Sequence, residues 1–209
     1  MTRSRVWPVL VSAALACSLA ACGGKDDKAS DLPTLTPDPT TATSTPPSTP
    51  ATPTAVPTQT VGKYGDLTLD LRRPATGQTK AEPAVALFLS LHQSFATMAS
   101  GGAAPAELSQ IATSGVIKTL NTLLAAQRKA KEHAGGALTV RVTAAQASTS
   151  VAVVDGCFDQ RKLVMIRSNG TRYVDPTVKR SPTLVARVTV SGSAGHRLVS
   201  GFSLKEKAC

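Results

Sequence analysis

Apolar positions along this chain pass through several regimes. Residues 6–21 form an almost continuous apolar run of 16 residues. Residues 31–60 have no apolar period. Leu67, Leu69 and Leu71 then alternate with Thr68 and Asp70, as in a half-buried strand. Beyond them the spacing is helical over 82–134 and two-residue over 137–206.

The helical stretch divides into three. A first helix is predicted over 82–100, with Pro83 suited to the first turn and Gly101-Gly102 as the stop. Val85, Phe88, Leu89, His92, Phe95 and Ala99 share one of its faces. A second starts near Pro105, striped by Leu108, Ile111 and Ala112. A third covers 116–133, with Leu120, Leu123 and Leu124 on its apolar face and Gly135-Gly136 ending it. Arg128, Lys129 and Lys131 place positive charge near its C-terminal end, where the helix dipole favours it.

Strands are predicted at 138–142, 151–158, 163–167, 172–174, 184–190 and 198–204. Asn169-Gly170 marks a tight hairpin, because a type I′ turn needs positive φ at both central positions. Helices followed by an antiparallel sheet predict an α+β domain over 81–209, its N-terminal helices packed in a curved antiparallel sheet. Residues 61–80 are transitional, holding a short edge strand or a docked extended segment.

The N-terminus reads as an address. Arg3 and Arg5 precede the apolar run, and small residues close it at Leu19-Ala20-Ala21-Cys22. That order is the order of a secretory signal over 1–21. The run is shorter than the roughly 20 residues that span a bilayer. Its last four residues resemble the lipobox of bacterial lipoproteins. The resemblance implies cleavage before Cys22, acylation of the Cys22 sulfur, and a lipid anchor at the extracytoplasmic face of the cell membrane. A thiolate is the natural nucleophile for lipid transfer, and two acyl chains hold stably where one does not. An uncleaved signal anchor and a plain cleavage that leaves Cys22 unmodified are the other readings of these residues.

Residues 22–60 read as a disordered tether. Within 31–60, 11 of 30 residues are Thr and 8 are Pro, so no core can form and the backbone favours polyproline II. Fully extended, that stretch would reach about 90 Å. It suits a stalk open to O-glycosylation, or a plain spacer.

Within 81–209 the segments stand in a definite order. A helix ends near Ala99-Ser100-Gly101 and a long basic helix follows. A strand then enters Val153-Val154-Asp155-Gly156-Cys157-Phe158-Asp159, and a strand pair comes late. The order resembles the NTF2-like (SnoaL-like) fold, and more narrowly actinobacterial exported lipoproteins with such a domain at the C-terminal end. The resemblance implies a cone, its sheet wrapped around the first helix.

With Cys17 lost in the signal and Cys22 acylated, Cys157 and Cys209 remain. Outside the cytoplasm a bridge between them is the default. Their spacing fits neither a CxxC pair nor a zinc site. The 23 Lys+Arg outnumber the 13 Asp+Glu. The excess lies in 81–209, with 15 basic and 7 acidic residues, whereas 22–80 has six of each. A basic face suits anionic lipid or wall polymer. Nucleic acid is not expected as a partner: aromatics are 3% of the chain, and there is no stacking motif or recognition helix.

Catalytic candidates are sparse. His92, amid Val85, Phe88, Leu89 and Phe95, is the side chain best placed to titrate inside a cone, with Asp155, Asp159 and Tyr173 as candidate partners. The plainer reading is a core histidine. No GxSxG elbow and no His/Asp/Glu cluster at ligand spacing occurs, so no metal and no cofactor is expected. The reading that follows is a non-enzymatic binding or accessory module of the cell envelope. Its partner would be an envelope protein, a wall polymer or an apolar small molecule. The alternative is a small-molecule enzyme with a polar site inside the cone.

Overall fold

Leu67, Leu69 and Leu71 point the same way from one strand, and each is 3% exposed or less. They are the inner residues of a strand that precedes every described helix. The computed structural model describes residues 58–74, 80–193 and 195–209. The signal-type segment, Cys22 and the stretch before Thr58 lie outside the described residues.

In chain order the elements are β1 (Gln59–Tyr64), β2 (Leu67–Arg72), α1 (Glu82–Ala99), α2 (Leu108–Ile111) and α3 (Ser114–Lys129). There follow β3 (Glu132–Ala147), β4 (Val151–Arg167), β5 (Arg172–Tyr173), α4 (Pro176–Arg180), β6 (Thr183–Ser193) and β7 (His196–Glu206). Six strands lie side by side in the order β1-β2-β3-β4-β6-β7, and β5 pairs with the far end of β4. Neighbours are antiparallel except β2 and β3, which run parallel from Leu67 opposite Gly136 to Arg72 opposite Arg141.

That parallel pairing overturns the architecture expected from sequence. Parallel neighbours cannot be joined by a tight turn; the chain needs a long crossover between them. Here α1, α2 and α3 lie in the crossover from β2 to β3. The helices are therefore not an N-terminal layer in a curved antiparallel sheet, and the expected NTF2-like cone does not describe the chain. Strand is the dominant element, the sheet is mixed, and two of its strands come before α1. β2 is also not an edge: β1, which no alternation marks, covers its other side.

Three smaller differences have local causes. The third helix stops at Lys129, and β3 runs straight through Gly135-Gly136. Gly136 is not a helix stop. It holds φ +80 inside the strand, and a Cβ there would lie 2.2 Å from the Lys162 carbonyl oxygen. The strands predicted at 151–158 and 163–167 are one strand, β4, with a bulge opposite Leu138 that hides its continuity. The short α4 starts where the Asp175 carboxylate accepts the Thr177 backbone N–H at 2.7 Å.

The sheet has one apolar and one polar face. Val140, Val154, Phe158, Ala186 and Val188 are buried with Phe88, Leu91, Met98 and Leu120 of the helices. Gly156 lets α1 come close, because a Cβ there would lie 2.5 Å from the Phe88 ring. On the other face Arg187 bonds Asp155 at 2.6 Å across the β4–β6 pairing.

The polar face also carries a covalent tie. Cys157 of β4 and Cys209 are disulfide-bonded, with Cα atoms 5.7 Å apart, and stand 52 positions apart in sequence. The chain-entropy model assigns closure of such a loop about 4 kcal/mol. Cys157→Ser with Cys209→Ser should cost about that much stability, read as a lower urea midpoint. An unchanged midpoint would show that the bond constrains nothing.

Candidate functional site

His92 lies on α1 and is 1% exposed. Its Nδ1 is 2.6 Å from the Phe88 carbonyl oxygen one turn back, so the ring donates from Nδ1. Nε2 is buried and has no hydrogen-bond partner. The rings of Phe88, Phe158 and Phe202 stand 4.1, 4.9 and 5.9 Å away, centroid to centroid. Burial pushes the imidazole from its ordinary 6.5 down to about 4, against the upward pull of the Phe88 carbonyl. The ring is neutral at physiological pH.

None of the three partners proposed for His92 reaches it. Asp155 and Asp159 lie on the polar face, bonded to Arg187 at 2.6 Å and Arg161 at 2.9 Å. Those arginine bonds are the main reason both carboxyls sit below the usual range. The Tyr173 hydroxyl donates to Glu132 at 2.6 Å instead. A general acid or base needs a proton path to substrate, and an Nε2 walled by phenyl rings has none in this arrangement.

A cleft of about 90 Å³ opens on the helix side of the sheet. Leu67, Phe95, Leu124, Phe158 and Leu163 line it, with Gln127 and Gln160 as its polar members. Both amides are engaged: Gln127 Nε2 donates to the Ala99 carbonyl at 2.5 Å and Gln160 Nε2 to the Ser181 carbonyl at 2.6 Å. His92 does not line this cleft. Sites for drug-sized ligands run to roughly 300–1,000 Å³, so this one has room for a small apolar group only.

The fold gathers titratable residues at one further place. Asp66, in the β1–β2 turn, accepts from His133 Nε2 at 3.2 Å and from Arg172 at 3.0 Å. Beside it Glu132 accepts from Tyr173 and, at 3.3 Å, from Arg167, whose guanidinium stacks 4.7 Å over the Tyr173 ring. Burial first, then the Glu132 bond, pushes the Tyr173 hydroxyl up to about 12. Asp66 and Arg172 are 106 positions apart, so no local spacing could have paired them. The cluster holds no aligned nucleophile. Asp66 clips the β1–β2 turn to β3 and β5 through exposed pairs worth about 1 kcal/mol or less each.

Among the described residues, no group of His, Cys, Asp and Glu is arranged to hold a metal ion. Nor is any described helix long and apolar enough to cross a membrane. No protein-family model matches this chain, and no curated protein matches it. Among solved structures, the intermembrane space region of the chloroplast protein ARC6 aligns with 63% of this chain and 100% of that one, at TM-score 0.45 and 12% identity. That likeness is too loose to carry a function across.

His92 makes the fold sensitive to acid. Its folded pKa of about 4 lies below the ordinary 6.5. The neutral ring therefore favours the folded state fully above pH 6.5, and this advantage is lost progressively as pH falls from 6.5 to about 4. At pH ~4.5 the loss should reach roughly 2–3 kcal/mol. His92→Leu fills the same space and does not titrate. Between pH ~7.5 and ~4.5 its urea-unfolding free energy should drop less than the parent's by that margin. Equal drops would sink the assignment.

Proposed function

We propose that this chain is a non-enzymatic binding or accessory module of a bacterial cell envelope, held outside the cytoplasm by an acylated Cys22. The observation that carries the reading is Leu19-Ala20-Ala21-Cys22 at the end of the signal-type segment 1–21. The Cys157–Cys209 bond supports it, because structural disulfides persist in oxidising compartments. The described residues support the binding role over a catalytic one. His92 is sealed among phenylalanines, and the Asp66 cluster is satisfied internally.

Anchoring follows from chemistry alone. Each buried CH₂ contributes about 0.8 kcal/mol to membrane affinity, so two acyl chains on one sulfur-linked glyceride give a durable anchor. The Thr/Pro-rich stretch after Cys22 then sets how far the folded part stands from the bilayer.

Intact mass spectrometry of the chain expressed in an actinobacterial host tests this directly. The expected mature species begins at Cys22 and carries at least two acyl chains, and Cys22→Ser abolishes both the added mass and partition into detergent. A species that retains residues 1–21, or has a free thiol at 22, contradicts the reading.

A further inference from the structure

The strand register gathers a set of exposed cations where β6 starts and β7 ends, beside the middle of β4. Gln160 of β4 bonds both residues just ahead of β6: its backbone N–H donates to the Pro182 carbonyl at 3.0 Å and its amide to the Ser181 carbonyl at 2.6 Å. Arg161 and Lys162 follow Gln160. Lys179 and Arg180 end α4, immediately before Ser181. Across β6, Val185 faces Lys205 and Leu184 faces Glu206, which places Lys207 beside the start of β6. All six cations are exposed.

The carboxylates that could neutralise them are few and engaged. Asp159 is held by Arg161, and the Lys162 charge reaches it too, adding a smaller downward pull on its carboxyl. Asp175 caps α4. Only Glu206 is left among the six. The same economy runs through the described residues: the carboxylates of Asp66, Asp70, Glu82, Glu132, Asp155 and Asp159 are taken by arginines, and no ion pair there uses a lysine. The lysines are thus a charge surplus facing solvent.

We propose that this patch, carrying Lys162, Lys179, Arg180, Lys205 and Lys207, docks on the anionic phosphate headgroups of the membrane that holds Cys22. The inference rests on the anchoring reading above. Cys22 lies 36 positions before Thr58, so even a fully extended connection keeps the folded part within about 110 Å of the bilayer. Each Lys or Arg near an anionic surface adds about five-fold to binding. A few such contacts are weak for a free protein, but tethering raises the effective concentration of headgroups to a range where weak contacts fill. Lys162, Lys179, Arg180 and Lys205 sit on β4, α4 and β7, which hydrogen bonds through Gln160 and the β6 pairings hold together, and Lys207 follows β7 directly.

The test uses the acylated chain purified from its host and mixed with two kinds of vesicle: phosphatidylcholine alone, and phosphatidylcholine with phosphatidylglycerol. Flotation reads the anchor. Amine-reactive footprinting, resolved by mass spectrometry, reads the docking. On phosphatidylglycerol vesicles, Lys162, Lys179, Lys205 and Lys207 should be labelled several-fold more slowly than on phosphatidylcholine, because docking covers their amines. Lys63, Lys118, Lys129 and Lys131 should be unaffected, and about 0.5 M salt should erase the difference. Exchanging Lys179, Lys205 and Lys207 for Gln should leave Lys162 labelled alike on both vesicles, while Arg at those three positions keeps its slower labelling on phosphatidylglycerol. Flotation on both vesicles with uniform labelling overturns the docking and leaves the anchor standing. Flotation only with phosphatidylglycerol keeps the docking and overturns the anchor, and no flotation overturns both. Protection by a soluble anionic wall polymer, without protection by phosphatidylglycerol, gives the patch to the wall instead and overturns the membrane assignment.

Discussion

The parallel seam between β2 and β3 is the constraint from which the rest of the described structure follows. Leu67, Leu69 and Leu71 are buried on one side of β2. Burying each such side chain is worth about 1.5–3 kcal/mol. Seating β2 along β3 from Leu67 opposite Gly136 to Arg72 opposite Arg141 gathers that apolar stripe into the core of the antiparallel strands. Because the two strands run the same way, the chain between them must cross back, and the three helices lie in that crossing. The cost of the seam appears at Gly136, whose positive φ and close approach to Lys162 leave no room for a side chain.

Covering one face of the sheet with helices decides where chemistry can occur. The covered face is largely buried, and a polar atom caught there is expensive unless bonded. His92 meets that rule with Nδ1 and breaks it with Nε2. Arg73 repeats the pattern: it pairs with Glu82 at the start of α1, yet its Nε is buried without a partner. The open face is where charge accumulates. Arginines engage carboxylates there through planar forks, and lysines are left in water. That division of labour turns a modest excess of positive charge into an available one.

The sequence pattern revealed the elements better than their assembly. α1 was legible because Pro83 opens it, Gly101 follows it and its apolar spacing is regular. Most of β3, β4, β6 and β7 showed as two-residue alternation. β1 was not legible, since Gln59 to Tyr64 has only Val61 and Tyr64 as large apolar residues, and Val61 is 58% exposed. The parallel seam was invisible for a different reason: alternation in Leu67 to Leu71 reports which side is buried, but not which neighbour it lies against or in which direction. The cone is what the resemblance over 81–209 implies, and that resemblance takes no account of a strand placed before α1. The Asp66 cluster needs residues brought together from three distant segments, and no local motif encodes that. α4 does carry a local signal: Asp175-Pro176, an acceptor followed by proline, marks its start.

Hydrogen exchange followed residue by residue tests the seam most directly. If β2 is an integral strand, the amides of Leu67–Arg72 that bond to β3 will exchange about as slowly as those shared by β3 and β4, because both open only when the sheet opens. Free exchange over Leu67–Arg72 while the β3–β4 amides stay protected would show a loosely docked segment, and the mixed sheet with its helical crossover would have to be given up.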